Sequence, residues 1–375
     1  MLARLAPALP EGDQWSFEPK WDGFRAIVFR DGPEIEIASR NQRPLGRYFP
    51  EVKAALAEQL PDRIVLDGEI VVPSPAGTLD FDALGARLHP AGSRVERLAL
   101  ETPASFVAFD VLASGSDDLR GLPFSARRHE LESALHRSVP RQVVRSPGLP
   151  ASEPPVGLHR PGATEERRRS VTSVLVTPAS TSRSVAGEWF ERFEGAGLDG
   201  VVAKSLASPY LPGERAMVKV KHRRTADVVV AGLRWKIRGV AVASLVLGLF
   251  DELGILHHVG VASSFTEATR CTLAELVEPF RLADGQPHPW LWPSSEAAHG
   301  PGSSSRWSGK RDLSWTPLRL ELVAEVAYDQ LQGRRFRHSA RFERWRPDRE
   351  PRSCTYDQLD VAPPVELAAL FAPQR

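Results

Sequence analysis

The chain has 375 residues, of which 42 % are apolar and 25 % are charged, and its formal net charge at pH 7 is +1. This length and composition predict two or three globular domains with proper cores, and the near-zero charge alone does not indicate a polyanion partner. The only cysteines, Cys271 and Cys354, exclude a disulfide framework and a cysteine-based zinc site, and they fit a reducing cytosol.

Neither a secretory signal nor a membrane span is visible. The N-terminal stretch is short and interrupted by proline, and the longest apolar run, residues 240–250, is too short to cross a bilayer. We therefore expect a cytoplasmic protein, associated with the nucleoid if it binds DNA, and no membrane partner.

The first half of the chain mixes predicted strands and helices. In chain order the predicted strands are residues 26–29, 34–38, 63–72, 104–112, 171–176, 199–204 and 216–221, and the predicted helices are residues 48–60, 123–136 and 184–194. Asp31-Gly32 is a common turn pair between the first two strands, and Pro50 suits the first turn of the first helix. Strands outnumber helices and several look antiparallel, so the class is α+β and not doubly wound.

Two stretches, residues 140–170 and 284–310, lack any apolar period. The first is rich in Pro, Arg, Ser and Gly, and we interpret it as a long loop inserted into the first domain.

The pattern changes after residues 222–225. Strands are predicted at residues 227–235, 244–250, 256–262, 321–329 and within 334–345, and a helix at 264–281 with Ser264 as its cap. Strands, one helix and further strands are typical of a small five-stranded barrel. We predict a first domain of residues 1–222, a barrel domain of residues 225–355 and a tail of residues 356–375.

The run KWDGFR, residues 20–25, is the first candidate for chemistry. A lysine attacks phosphorus only as a free amine, which burial, neighbouring cations or a metal favour. Gly23 allows a tight backbone turn, and Arg25 supplies a fork suited to phosphate or sugar oxygens. Taken alone, the run also fits a surface lysine with a local salt bridge.

Acidic residues occur in apolar strands further along the chain. Asp67 and Glu69 lie in the run LDGE, where a carboxylate is costly unless it binds something. Asp199 precedes an apolar strand that ends in Lys204. Each of these clusters alone also fits a solvated strand face.

Alternate lysines follow at Lys219 and Lys221, which places both side chains on one face of a predicted strand. Together the clusters give several cations, at least two acids and no Cys or His ligands. That composition fits a magnesium-bound triphosphate better than zinc.

Six motifs in order resemble the series of the covalent nucleotidyltransferases, which include DNA ligases, RNA ligases and mRNA-capping enzymes. They are KWDGFR (20–25), SRN (39–41), DGE (67–69), FVAFD (106–110), DGVVAK (199–204) and KVK (219–221). The residues around them are most similar to the bacterial ATP-dependent DNA ligases called ligase C, from about Pro10 to Leu359 and apart from the loop at 140–170. The resemblance implies a nucleotidyltransferase domain, with ATP-grasp-like antiparallel sheets and helices, followed by an OB-fold β-barrel.

The resemblance also implies roles. Lys20 would form a lysyl-AMP with ATP. Nucleotide binding is implied for Glu18 (adenine edge), Asp22, Arg25 and Arg40 (ribose and phosphate), Glu69 (ribose or metal), Phe109 (stacking on adenine) and Lys204, Lys219 and Lys221 (phosphates). Asp199, with Glu69, would hold Mg²⁺ or Mn²⁺. Phe109 also fits a core aromatic.

A last motif is implied in the second domain. Arg341, Arg344, Arg346 and Asp348 resemble the residues that orient the pyrophosphate leaving group, although Arg349 stands where the family usually has lysine. Seven arginines between Gly333 and Glu350 also fit a basic surface that faces DNA.

The expected function is ATP-dependent sealing of nicks in duplex DNA through lysyl-AMP and DNA-adenylate, with the barrel swinging between steps. Since no stretch resembles a DNA-encircling, polymerase or nuclease domain, we expect a monomeric accessory repair ligase that works with repair polymerases. Two alternatives stay open at this point: an RNA ligase or capping-type enzyme, and a catalytically silent DNA-binding protein on the same scaffold.

Overall fold

The computed structural model describes residues 1–89, 91–138, 173–283, 285–291, 300–301, 313–359 and 367. The predicted loop at 140–170 and most of the stretch 284–310 lie outside the described residues. The chain divides into two compact units, one of Met1–Val220 with Pro364–Arg375 and one of Lys221–Pro363. None of the helices described has the length and apolar character needed to cross a lipid bilayer.

The first unit contains two sheets with helices packed on them. Its strands are β1 (Ala3–Leu5), β2 (Trp15–Pro19), β3 (Phe24–Asp31), β4 (Glu34–Ser39), β5 (Arg63–Val71), β6 (Ser105–Ser114), β7 (Asp117–Asp118), β8 (Val174–Val176), β9 (Val201–Ser205) and β10 (Met217–Val220). Its helices are α1 (Pro50–Gln59), α2 (Phe81–Ala86), α3 (Gly92–Glu101), α4 (Phe124–Ser138) and α5 (Arg183–Arg192).

The sheet orders are β1-β10-β9-β2 and β4-β3-β5-β6-β7, with β8 beside β6. All pairs are antiparallel except β1 with β10 and β6 with β8. The register sets motif residues side by side: Glu18 pairs with Val202, and Arg25 pairs with Glu69. Residues that are far apart in sequence therefore meet at the same level of adjacent strands.

The predicted hairpin is confirmed, but its turn lies one residue further along the chain. Asp31 pairs with Glu34, so the two turn residues are Gly32 and Pro33. Gly32 adopts a φ of +58°, a left-handed conformation that glycine tolerates best. The predicted helix at Pro50 is confirmed as well, with the proline in its first turn.

The second unit is built on one sheet of order β13-β12-β11-β15-β18, with β14 beside β11. Its elements are β11 (Arg224–Ile237), β12 (Ala241–Phe250), β13 (Leu256–Ala262), α6 (Glu267–Val277), β14 (Thr316–Pro317), β15 (Val323–Tyr328), β16 (Leu331–Gln332), β17 (Arg335–Phe336) and β18 (Arg341–Trp345). Strands, a helix and further strands follow one another as the sequence predicts for a small barrel.

The helix boundaries in this unit differ from the prediction. Helix α6 begins after Thr266, whose hydroxyl accepts the backbone N–H of Thr269, and not after Ser264. It ends before Pro279, where a short 3₁₀ turn takes over, because proline cannot continue the α-helical hydrogen bonds.

Candidate active site

A cavity of about 410 Å³ opens in the first unit beside the ends of β2, β9 and β10. Its walls include eight residues singled out from the sequence, namely Glu18, Lys20, Arg25, Arg40, Glu69, Phe109, Lys204 and Lys219. The volume lies in the range of small-molecule sites. The scattered motifs therefore converge on one concave site.

Lys20 follows directly after β2 and is fixed at its backbone and its side chain. Its N–H donates to the carbonyl of Gly200 at 2.8 Å, and its carbonyl accepts the N–H of Asp199 at 2.9 Å. Its Nζ donates to Oδ2 of Asp199 at 2.6 Å, and the lysine side chain is 21 % exposed. The amine is thus held at the cavity wall with an acceptor for its proton beside it.

Glu69 stands in the cavity across from Lys20 on β5. Burial raises the pKa of Glu69 to about 7, and the charges of Lys20 and Arg25 oppose that rise. Its Oε1 accepts the backbone N–H of Gly23 at 3.1 Å. The Glu69 carboxyl can therefore gain or lose its proton near neutral pH when a cation or a hydroxyl-bearing ligand binds beside it.

Gly23 has a role that differs from the one inferred above. A Cβ on this residue would lie 2.1 Å from the carbonyl oxygen of Ile70, so glycine is needed where the backbone crosses β5. The close approach is to the neighbouring strand, and it delivers the N–H that holds Glu69.

Arg25 is fixed by a buried carboxylate. Its Nε and Nη2 donate to the two oxygens of Asp67 at 3.0 and 2.6 Å, and Tyr210 donates its hydroxyl to the same carboxylate at 2.8 Å. The guanidinium lies 5.7 Å from the ring centre of Phe109. Asp67 therefore serves inside the protein, where it fixes Arg25 at the cavity wall.

Lys204 is buried in the cavity wall, where its ammonium contacts other residues of the protein. Its Nζ lies 2.7 Å from Oε2 of Glu18 and donates to the carbonyl of Phe109 at 2.7 Å. It also lies 4.8 Å from the Phe109 ring and 4.6 Å from the Phe124 ring. The resemblance implied a phosphate contact for Lys204, but this geometry ties its ammonium to Glu18 and Phe109.

The fit of a divalent cation can be judged from the carboxylates present. Glu69 and Asp199 both flank Lys20, but the described residues contain no group of three or more His, Cys, Asp or Glu side chains able to hold a metal. Mg²⁺ needs only one or two carboxylates where phosphate oxygens and water complete its shell. The donor set therefore fits Mg²⁺ or Mn²⁺ bound jointly with a nucleotide.

Two predicted ligands lie away from the cavity lining. Asp22 is partly exposed outside it. Strand β10 ends at Val220, one residue before Lys221, and the cavity lining includes Lys219 but not Lys221. The Nζ of Lys221 instead donates to Asp329 at 3.1 Å within the second unit.

The arginine-rich motif belongs to the second unit and is held by carboxylates there. Arg346 contacts Asp227 at 3.0 Å and Asp348 at 2.7 Å, and Arg341 contacts Glu343 at 2.8 Å. These pairs order the guanidinium groups on and just after β18.

Several lining residues were missed from the sequence, among them Leu2, Ala3, Val202, Arg215 and Met217. A usable signal existed in the alternation of side chains along strands. Met217 precedes Lys219 by two residues and Val202 precedes Lys204 by two, so each pair faces the same side.

The matches to known protein families show which family the chain belongs to. Residues 1–221 match the family described as "ATP dependent DNA ligase domain", and residues 238–349 match "ATP dependent DNA ligase C terminal region". The chain belongs to the ATP-dependent DNA ligase family.

Similar proteins cover this ligase-family chain almost from end to end. It is 49 % identical to DNA ligase C2 of Mycolicibacterium smegmatis over 370 residues, which are 97 % of this chain and 94 % of that protein. It is 47 % identical to DNA ligase C of Mycobacterium tuberculosis over 376 residues, 98 % of this chain and 95 % of that protein. The resemblance to the ligase C type is thereby confirmed.

Solved structures bear on the fold. A Lig E DNA ligase structure matches with a TM-score of 0.50 at 16 % identity, covering 92 % of this chain and 99 % of that one. The predicted α+β class, a nucleotidyltransferase domain followed by an OB-fold barrel, is confirmed.

Proposed function

We propose that this chain is an ATP-dependent DNA ligase that seals nicks in duplex DNA. The observation that carries the proposal is the pairing of Lys20 with Asp199 at 2.6 Å in a cavity walled by cations and a stacking aromatic. A reactive amine, an acceptor for its proton and a nucleotide-sized cavity are what lysyl-AMP formation requires.

In the first step Nζ of Lys20 attacks the α-phosphorus of ATP. An N–P bond forms, the bond to the bridging oxygen breaks, and pyrophosphate leaves with that electron pair. Asp199 is placed to take a proton from Nζ. Lys219 and Arg40 on the cavity wall supply positive charge for the phosphates.

The base is held at the other side of the cavity in this proposal. Oε1 of Glu18 is buried without a hydrogen-bond partner among the described residues, which makes it an acceptor suited to the adenine amino group. Phe109 offers a ring face for stacking.

Glu69 and Asp199 would hold Mg²⁺ or Mn²⁺ together with the nucleotide, and the ion would supply further charge neutralisation at the phosphates. We assign Arg341, Arg346 and Asp348 to orientation of the leaving pyrophosphate. The domain bounds that go with these roles are residues 1–222 for adenylation, with the insertion at about 140–170, residues 225–355 for the barrel and residues 356–375 for the tail.

The later steps follow from the same intermediate. AMP passes from Lys20 to the 5′-phosphate at a nick, and the 3′-hydroxyl then attacks that phosphorus and releases AMP. We infer a monomeric enzyme of the bacterial cytoplasm, acting at the nucleoid in repair beside repair polymerases. The scarcity of cysteine and the family membership support this setting.

The test is covalent labelling with α-³²P-ATP. The protein should take up an acid-labile label that Lys20→Ala abolishes and that chase with nicked DNA removes. Lys53→Ala, a change at an exposed lysine on α1, should label as wild type. Absence of label on the wild-type protein would overturn the ligase proposal and leave the silent DNA-binding protein and the GTP-dependent capping-type enzyme, and label on Lys20→Ala would assign the nucleophile elsewhere.

Substrate choice is tested with nicks that carry RNA or DNA on either side of the break. Efficient sealing only where RNA flanks the nick would identify an RNA ligase. Transfer of GMP to an RNA end would identify a capping-type enzyme.

A further inference from the structure

The buried contact between Lys204 and Glu18 bears on which base the site accepts. Glu18 is 2 % exposed and Lys204 is 3 % exposed, so both charged groups are largely shielded from bulk solvent. Lys204 binds one carboxylate oxygen of Glu18 at 2.7 Å, while the other oxygen has no hydrogen-bond partner among the residues that the structure describes.

The charged groups that face Glu18 come from three elements: Lys204 on β9, Arg128 on α4 and Asp110 on β6. Burial raises the pKa of Glu18, and Lys204 and then Arg128 are the charges that oppose the rise. Arg128 stands 3.6 Å from Oε1 of Glu18, beyond hydrogen-bond distance. Lys204 is thus the closest counter-charge to this carboxylate.

The chemistry of the two purines differs at the atom that meets such an oxygen. Adenine presents an amino group, which donates to a carboxylate. Guanine presents a carbonyl oxygen at the same position, which a carboxylate repels but a protonated carboxyl can donate to. The charge of Glu18 therefore decides between the two bases.

We propose that Lys204 is a positioning residue for base selection. Its ammonium keeps Glu18 in the carboxylate form and holds one carboxylate oxygen, so that the other oxygen is directed at the base. Adenine is then accepted and guanine is excluded. This inference rests on the proposed function, because it concerns the nucleotide that Lys20 attacks. It replaces the phosphate contact that the sequence implied for Lys204.

The test compares labelling of the full-length protein by α-labelled ATP and GTP. In Lys204→Met the ratio of the ATP rate to the GTP rate should fall about tenfold or more, because a neutral Glu18 no longer rejects guanine. Raising the pH should restore the ratio in this variant as Glu18 ionises, whereas the wild-type ratio should stay constant. A merely structural role for Lys204 would slow both nucleotides without this pH dependence.

Lys219→Met is the matched control, since it removes the same charge from the same cavity on β10. It should lower the ATP and GTP rates together and leave their ratio unchanged. Lys204→Arg keeps the charge and should keep most of the selectivity.

Glu18→Gln decides the matter if Lys204→Met does not fold, because its amide offers guanine a donor. A wild-type ratio in Glu18→Gln or in folded Lys204→Met would overturn the inference. Absence of label on the wild-type protein would instead overturn the proposed function, so the two failures are distinguishable.

Discussion

At the scale of single residues, the site combines charges that serve the protein with charges left for a ligand. Asp67 is bound by both Arg25 and Tyr210, so its carboxylate is already satisfied. Glu69 receives a single backbone hydrogen bond and stays protonated more readily because it is buried. The two acids lie two residues apart in LDGE, but Asp67 binds other residues of the protein whereas Glu69 is left for a ligand.

The contact between Asp199 and Lys20 leads to a direct prediction about a single residue. Asp199→Asn keeps the shape of the side chain but removes the charge that holds Nζ of Lys20 at 2.6 Å. Lysyl-AMP formation should slow by about 10- to 100-fold, as expected when a partner that orients a reacting group is lost. Single-turnover labelling with ATP measures this.

The control for that experiment is Asp62→Asn, which alters an exposed acid paired with Arg30. Its labelling rate should equal that of the wild type. An Asp199→Asn protein that folds normally and labels at the wild-type rate would remove Asp199 from the proposed mechanism.

At the scale of elements, sequence patterns identified some helices and strands and missed others. Helix α1 was predicted because Pro50 marks its start and its buried residues fall on one side. Helix α3 was missed, although Val95 and Ala99 lie four residues apart on its buried side and Leu100 is 86 % exposed. Strand β2 was missed although Trp15, Phe17 and Pro19 alternate with Ser16 and Glu18 in its sequence. In the fold the two polar residues are buried as well.

The site was predictable to the level of residue types but not of pairings. The cations and acids of the cavity could be picked out because ionisable groups in apolar strands need a reason to be there. That Tyr210 would meet Asp67, and that Lys204 would meet Glu18, depends on strand register between segments far apart in the chain. No short-range pattern encodes such a register.

The barrel sheet offers a prediction on pH and stability at His258 of β13. Burial, together with the charges of Arg335 and Arg234, lowers the pKa of His258 to about 3. A backbone hydrogen bond with Gly260 opposes this fall in pKa without cancelling it, and the His258 ring packs edge-on against Trp290 at 5.8 Å. The folded barrel therefore holds a neutral imidazole.

The unfolded chain binds a proton at this histidine below about pH 6.5, whereas the folded chain does not until about pH 3. The free energy of unfolding should therefore fall as pH falls through this window, with His258 contributing up to about 1.4 kcal/mol per pH unit. Urea unfolding between about pH 5 and pH 7 should show a shallower pH slope for His258→Phe than for wild type. His129→Gln, at an exposed histidine of α4, should leave the slope unchanged, and an equal slope in His258→Phe would contradict the argument.

At the scale of the whole molecule, the chain passes from the first unit to the second after β10. The first unit runs to Val220 at the end of β10, and the second begins at Lys221. Lys221 is tied to Asp329 at 3.1 Å and Arg223 to Glu343 at 2.8 Å, both inside the second unit. If the barrel rotates between reaction steps, the Val220–Lys221 junction is one place where backbone rotation would be absorbed.

Lys221→Pro tests this hinge, with Lys221→Ala as its matched control. Both changes remove the contact with Asp329, but only proline fixes φ at the junction and restricts the residue before it. If the units rotate there, Lys221→Pro should slow at least one of the three steps about tenfold relative to Lys221→Ala and leave another step unaffected. Single-turnover rates of lysyl-AMP formation, DNA-adenylate formation and closure of a pre-adenylated nick measure the steps separately. Equal rates in the two variants at every step would mean that the reaction proceeds without motion at this junction. Any rotation of the barrel would then have to occur at another position in the chain.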